Sequence, residues 1–369
     1  MSIADFIDVP CGRYFGGSQG SVGGMIGGVH IDDLHRRAIE LLPAPVSEYF
    51  DQGASWSVST GEAPAAWDRI RLRPRSLRDV SRVSTETGVL GHRLETPILV
   101  APTTLQRMAH PDGELATARA AAAVGSLMCV SSNSGTTYED IGATGAPWWI
   151  QAYVLRDRGL TTSFLQRARD AGASAVVLTV DTPDVGRKIN VGPAIWDLVP
   201  DGYLQANIDD DDLPDDALDK ADDLTPDAIG WLHDVTGLPV VVKGVLRGDD
   251  ARTFVDAGAS AVAVSNHGGR QLDLSVATAT VLPEIVDAVA GDAEIYVDGG
   301  IRRAEHVLAA LALGANAVLL GRPVLWALAG GGEPVVTELL ADLTDDLRHV
   351  MMLAGVRGID DIGADLVHR

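Results

Sequence analysis

The stretch "EIYVDGGIRRAEHVLAALALGANAVLLGRP", residues 294–323, decides the fold. Two short runs, "EIYV" and "AVLL", are apolar on both faces, as strands covered on both sides of a parallel sheet must be. Between them "RAEHVLAALALG" carries the spacing of a helix and stops at a glycine, as helix C-termini prefer. Working outward, the same unit recurs. "PILVAP" (97–102), "SLMCVSS" (126–132), "PWWIQAYV" (147–154), "AVVLTVD" (175–181), "PVVVKG" (239–244) and "AVAVSN" (261–266) complete eight strands, and helical patterns such as "DGELATARAAAAVG" and "GDDARTFVDAG" separate most of them. Eight strand–helix units predict an α/β fold of the (β/α)8 barrel type. A doubly wound open sheet fits less well, because no G-x-G-x-x-G follows the first strand.

The polar residues stand at the C-terminal ends of these strands: Thr103, Ser131, Gln151, Tyr153, Thr179, Asp181, Lys243, Ser265, His267, Arg270, Asp298 and Arg322. Barrel enzymes build their sites there. The fourth connection, from Pro183 to about Thr225, is long and carries the acidic run "NIDDDDLPDDALDKADDL", a solvated face or a lid. Residues 1–29 form a glycine-rich arm, and residues 30–369 are expected to make one barrel domain opened by a short N-terminal helical segment, of which "IDDLHRRAIELL" is the clearest part.

The chain has 369 residues, 51 of them acidic against 29 lysines and arginines, for a formal net charge of -22. That balance argues against nucleic acid or an anionic membrane as partner. Only Lys188, Lys220 and Lys243 are lysines. The two cysteines, Cys11 and Cys129, make neither a disulfide framework nor a metal site. With no apolar run long enough to span a membrane and no signal-peptide pattern, a cytoplasmic setting is the expectation.

Three places carry chemistry. "VDGGIRR" (297–303) and "GRP" (321–323) end consecutive strands, and glycines with arginines at that corner of a barrel suit a phosphate; the glycines are expected to admit it to the backbone. Lys243 ends an apolar run and must face an anion or act as a Schiff base. In "SNHGGRQLD" (265–273), His267 is within reach of a pairing with Asp181, a carboxylate that would orient the ring and stabilise its protonated form.

Taken together, "SNHGGRQLD", "VDGGIRR", "GRP", "VVVKG", "LTVDTPDVGRK" (178–188), "QAYV" (151–154), "APTTLQRMAHPDGE" (101–114) and "LPAPVSEYFDQGA" (42–54) resemble the FMN-dependent α-hydroxy-acid oxidase/dehydrogenase family, in order, from about residue 32 to 366. The resemblance implies FMN as cofactor and oxidation of a small 2-hydroxy acid to the 2-keto acid, with oxygen, a quinone or a carrier protein as acceptor, in a homo-oligomer, often a tetramer. It implies His267 as base and Asp181 as its partner. Arg270 and Tyr49 would hold the substrate carboxylate, and Tyr153 would lie near its hydroxyl. Lys243 becomes the cation beside the flavin, against a Schiff base. Thr103, Ser131, Gln151, Thr179 and Ser265 would line the ring and ribityl chain; Asp298, Gly300, Arg302, Gly321 and Arg322 would hold the ribityl and phosphate end.

This chain leaves the family pattern at three positions: Lys188 where an arginine is usual, Thr104 where a small residue sits over the flavin, and Asn133 where a tryptophan can stand. These changes point to a lactate-like, mandelate-like or longer substrate rather than glycolate. The alternatives are a relative acting on an amine or modified peptide, a decarboxylating lactate 2-monooxygenase, and a non-catalytic flavin scaffold.

Overall fold

The computed structural model describes residues 30–189, 195–208 and 216–368. The glycine-rich arm and residues 209–215 of the acidic run lie outside the described residues. Eight parallel strands close into a barrel: β1 (Ile98–Val100), β2 (Met128–Ser131), β3 (Trp148–Ala152), β4 (Val176–Thr179), β5 (Val240–Val245), β6 (Ala261–Val264), β7 (Glu294–Val297) and β8 (Ala317–Leu320). Closure is by β8 on β1, with Val318, Leu319 and Leu320 in register with Ile98, Leu99 and Val100. This is the (β/α)8 barrel that the repeated unit predicts.

The period of two along each strand sorts the apolar residues into two cores. Ile98, Val100, Met128, Val130, Ile150, Val176, Val240 and Val262 face the surrounding helices in the larger core. Leu99, Ala101, Leu127, Cys129, Trp149, Val177, Val241, Ala263, Tyr296 and Leu319 fill the barrel interior, with Trp149 and Tyr296 ring centroids 5.3 Å apart. Each fully buried Val or Leu contributes about 1.5–3 kcal/mol, so both faces of the sheet stabilise it.

A hairpin, Thr87–Val89 with His92–Leu94, closes the N-terminal end of the barrel. Val89 and Leu94 join the interior core, and the Leu90 amide donates to Glu294 at 3.0 Å. Three helices precede the barrel: α1 (Ile31–Leu41), α2 (Ala44–Asp51) and α3 (Val58–Asp68). The helical segment is therefore longer than its clearest part suggests. Among the described residues no helix is long and apolar enough to cross a membrane.

Candidate active site

Inward-facing rows of the strands continue past the apolar interior into polar residues. Cys129 leads to Ser131, Trp149 to Gln151, Val177 to Thr179, Val241 to Lys243, Ala263 to Ser265 and Tyr296 to Asp298. Ser131, Gln151, Thr179, Lys243 and Asp298 line a cavity of about 650 Å³ at the C-terminal mouth of the barrel, together with Tyr49, Thr103, Thr104, Asn133, Tyr153, Lys188, His267, Arg270, Gly300, Arg302, Gly321 and Arg322; Ser265 is buried beneath it, against Lys243. Asp181 lies behind His267.

Lys243 is buried at the centre of this layer. Its ammonium lies 2.9 Å from Asp298 and donates to the Ser265 hydroxyl, also at 2.9 Å. Burial opposes its charge, but Asp298 and Asp181 outweigh burial and hold the lysine above its ordinary range. A permanently charged amine is a poor Schiff-base nucleophile. The bulge after Lys243 turns on Gly244, at φ +112°, where a Cβ would lie 2.7 Å from the Asp181 side chain.

His267 Nδ1 meets Asp181 Oδ1 at 3.0 Å. With a proton on Nδ1 donated to Asp181, Nε2 is left as the basic nitrogen. Burial would raise the Asp181 carboxyl; His267, Lys243 and the Thr182 hydroxyl together hold it below the usual carboxylate range. Asp181 therefore stays anionic and stabilises a protonated imidazole.

Each polar residue of "SNHGGRQLD" fixes something. Ser265 Oγ accepts from the His267 amide at 3.1 Å, and the Asn266 side chain accepts from the Gly269 amide at 3.2 Å. Gln271 donates to the Asp181 and Asp184 carbonyls at 3.0 and 3.1 Å, tying the loop after β4 to the histidine loop. The Asp273 carboxylate accepts from the Trp56, Val58 and Ser59 amides at the start of α3. The sequence gives no local signal for these last two, because their partners lie about 90 and 215 residues away.

Packing requires two of the glycines. Gly269, at φ +75°, has its Cβ direction filled by the backbone and hydroxyl of Thr60, 2.5 Å away. A Cβ on Gly300, at φ +83°, would run into the Ala63 carbonyl. Both positions must be glycine to admit α3, and Gly300 lines the cavity as well. Gly321 differs: a Cβ there would meet its nearest neighbours at 3.8 and 3.9 Å.

Three arginines and Lys188 converge where the loops meet α2. Arg270 Nη1 donates to the Tyr49 and Gln52 carbonyls at 2.7 and 2.9 Å, and its guanidinium lies 4.9 Å from the Tyr49 ring centroid. Among the described residues its Nε and Nη2 take no hydrogen bond. Arg322 donates to the Phe50 and Gly268 carbonyls at 3.0 and 2.9 Å. Burial, reinforced by Arg270 and Arg302, pushes Arg322 down to about 9, and burial pushes Arg302 down to about 10. Lys188 donates to the Arg270 carbonyl and is brought to about 8 by burial and by Arg270 and Arg322. None of the four has a carboxylate within 4 Å among the described residues.

A family model described as FMN-dependent dehydrogenase matches residues 38–369. The chain belongs to that family. It is 42% identical over 339 residues to an L-lactate oxidase of Nostoc sp., covering 87% of this chain and 93% of the relative. It is 39% identical over 355 residues to 2-hydroxyacid oxidase 1 of Homo sapiens, covering 92% and 96%. Among solved structures, mandelate oxidase superposes with a TM-score of 0.85 at 40% identity, covering 92% of this chain and 98% of that one. A mandelate oxidase variant carrying a C4a-hydroxy-FMN adduct superposes at 0.82. This member of the FMN-dependent dehydrogenase family is an oxidoreductase that uses FMN.

The residues present fit that cofactor. Asp298 Oδ1 and Gln151 Nε2 are buried at the cavity without a hydrogen-bond partner, an acceptor and a donor of the kind a ribityl chain or flavin ring satisfies. Arg302 and Arg322 are half-buried cations whose charge a phosphate would offset.

Two of the three departures read differently in three dimensions. The Thr104 hydroxyl donates to the Asn133 carbonyl at 2.9 Å, so it is tied to the loop after β2. The aromatic wall absent at Asn133 has a counterpart: Trp196, in the fourth connection, lies edge-on to Tyr49 with centroids 5.7 Å apart. Trp196 and Lys220 line the cavity and escaped sequence reading, since nothing in a long connection states where it returns.

Proposed function

We propose that this chain oxidises a 2-hydroxy acid with a side chain larger than that of glycolate to the 2-keto acid, with oxygen as the acceptor. The observation that carries the reading is the His267–Asp181 pair facing Arg270 across one cavity. Arg270 offers its Nε and Nη2 edge to the substrate carboxylate as a bidentate clamp, and the Tyr49 hydroxyl assists. Tyr153 orients the substrate hydroxyl. Burial raises the Tyr153 phenol to about 12, so it donates a hydrogen bond and keeps its proton. His267 takes a proton from the Cα–OH centre through Nε2 as two electrons leave, and Asp181 stabilises the imidazolium.

When bound, FMN would take up those two electrons together with the second hydrogen of the Cα–OH centre and pass them to the acceptor. Thr103, Thr104, Ser131, Gln151, Thr179 and Ser265 would hold its ring and ribityl chain, with Asp298, Gly300, Arg302, Gly321 and Arg322 at the phosphate end. Lys243 supplies buried positive charge where the cofactor becomes anionic on reduction. A cytoplasmic homotetramer is the setting we propose on family resemblance.

The test is anaerobic bleaching of the yellow holoenzyme by glycolate, lactate, mandelate and longer 2-hydroxy acids, then reoxidation in air with peroxide measured. Lactate or a longer acid should reduce it fastest, with peroxide formed. Glycolate as the best substrate, or no peroxide, would overturn the corresponding half of the reading.

A further inference from the structure

All three lysines of this chain line one cavity. In a protein with 51 acidic residues, that concentration calls for a reason. Lys243 is committed to Asp298 and Ser265, and Lys188 to the Arg270 carbonyl. Lys220 has no such commitment. It arrives on the return limb of the fourth connection, where the backbone pairs with the end of β3: Leu155 bridges to Lys220, the Ala221 amide donates to the Val154 carbonyl, and the Arg156 amide donates to the Asp219 carbonyl, the last two at 2.8 Å. Arg156 holds the same limb from its outer side, within 4 Å of Asp216, Asp219 and Asp222.

The scaffold thus fixes Lys220, half-buried, with its ammonium 3.9 Å from the centroid of the Tyr153 ring. Among the described residues no carboxylate lies within 4 Å of it; Asp181 and Asp184 act on it from farther away. A desolvated ammonium without an ion partner is costly. A substrate with one carboxylate gives it nothing to bind, because Arg270 already meets that charge.

We propose that the substrate carries a second carboxylate and that Lys220 receives it, so that the chain acts on a 2-hydroxydicarboxylate. The inference rests on the 2-hydroxy-acid reading above. Tyr153 then has an aromatic role besides its hydroxyl, holding the ammonium over its ring at the far side of the substrate.

Two measurements on the holoenzyme test this. In anaerobic reduction, malate or 2-hydroxyglutarate should exceed lactate or 2-hydroxybutyrate in the second-order rate constant of bleaching by about 10- to 100-fold, the change lying in the substrate Kd. Lys220→Gln should erase that ratio and Lys220→Arg should keep it. In calorimetric titration, succinate, which cannot be oxidised at a hydroxyl, should bind more tightly than propionate, and Lys220→Gln should abolish the difference. A preference that survives Lys220→Gln overturns the inference. So does a fall of equal size on both substrate classes, which would make Lys220 a support for Tyr153. A phosphorylated 2-hydroxy acid that outruns both classes overturns it in favour of a phosphate. If monocarboxylates reduce the enzyme better than dicarboxylates, this inference fails and the 2-hydroxy-acid reading stands. If no 2-hydroxy acid reduces it, both fail.

Discussion

The lower and upper halves of the barrel interior are built by the same strands in the same register, yet they behave as different materials. Below, Leu99, Cys129, Trp149, Val177, Val241 and Tyr296 fill space, and burial pushes the Cys129 thiol far up, so it is inert. Two residues further along the strands stand Ser131, Gln151, Thr179, Lys243 and Asp298. Here buried polar atoms lack partners, and half-buried Arg302 and Arg322 have no carboxylate within 4 Å among the described residues. The comparison teaches that the lower layer allows the upper one. Closely packed hydrocarbon holds the strand ends rigid, so unpaired polar groups can be kept in place for a ligand to satisfy.

The largest expected effect breaks the upper layer at its chemical centre. His267→Gln should retain FMN and lower the rate of anaerobic reduction by about 10²- to 10⁴-fold. Stopped-flow absorbance checks this, and an unchanged rate removes His267 as the base.

The next tests whether the rim is held by packing rather than shaped for a ligand. Gly300→Ala places a methyl against the Ala63 carbonyl at a positive φ. It should cost about 3 kcal/mol or more, read as a lower denaturant midpoint. A stable variant that has lost only FMN affinity would return Gly300 to the ligand side of the comparison.

The smallest effect is in pH. Lys188, held near 8, loses its charge as pH rises through that value, while the unfolded chain keeps the proton to about 10.5. The unfolded state then binds more protons than the folded one, so stability should rise slightly with pH between about 8 and 10.5. KM for the anionic substrate should rise several-fold across the same window. Lys188→Arg should flatten the KM profile, because a guanidinium keeps its charge. An unchanged profile in that variant would exclude Lys188 from substrate binding.

Much of this was readable in the sequence, for reasons that differ by element. The eight strands announce themselves because both their faces are apolar, and His267, Asp181 and Lys243 because polar groups directly after such runs are conspicuous. The closing hairpin does not, since its strands are three residues long and its turn is Leu90–Gly91 rather than Asn–Gly, with Leu90 itself at φ +41°. Helix α3 is hidden by Pro64 inside it. The reasons for Gly269, Gly300, Gln271 and Asp273 are partners distant in the chain. Lys220 is the extreme case: only the pairing of its backbone with the end of β3 shows that it reaches the cavity.

The hairpin at the bottom of the barrel has a kinetic consequence. With Val89 and Leu94 sealing that end and hydrocarbon filling the interior, the cavity has no exit through the barrel among the described residues. On the proposed reading, substrate and product both pass the C-terminal mouth. The time the keto acid lingers there would then set when the next substrate can enter.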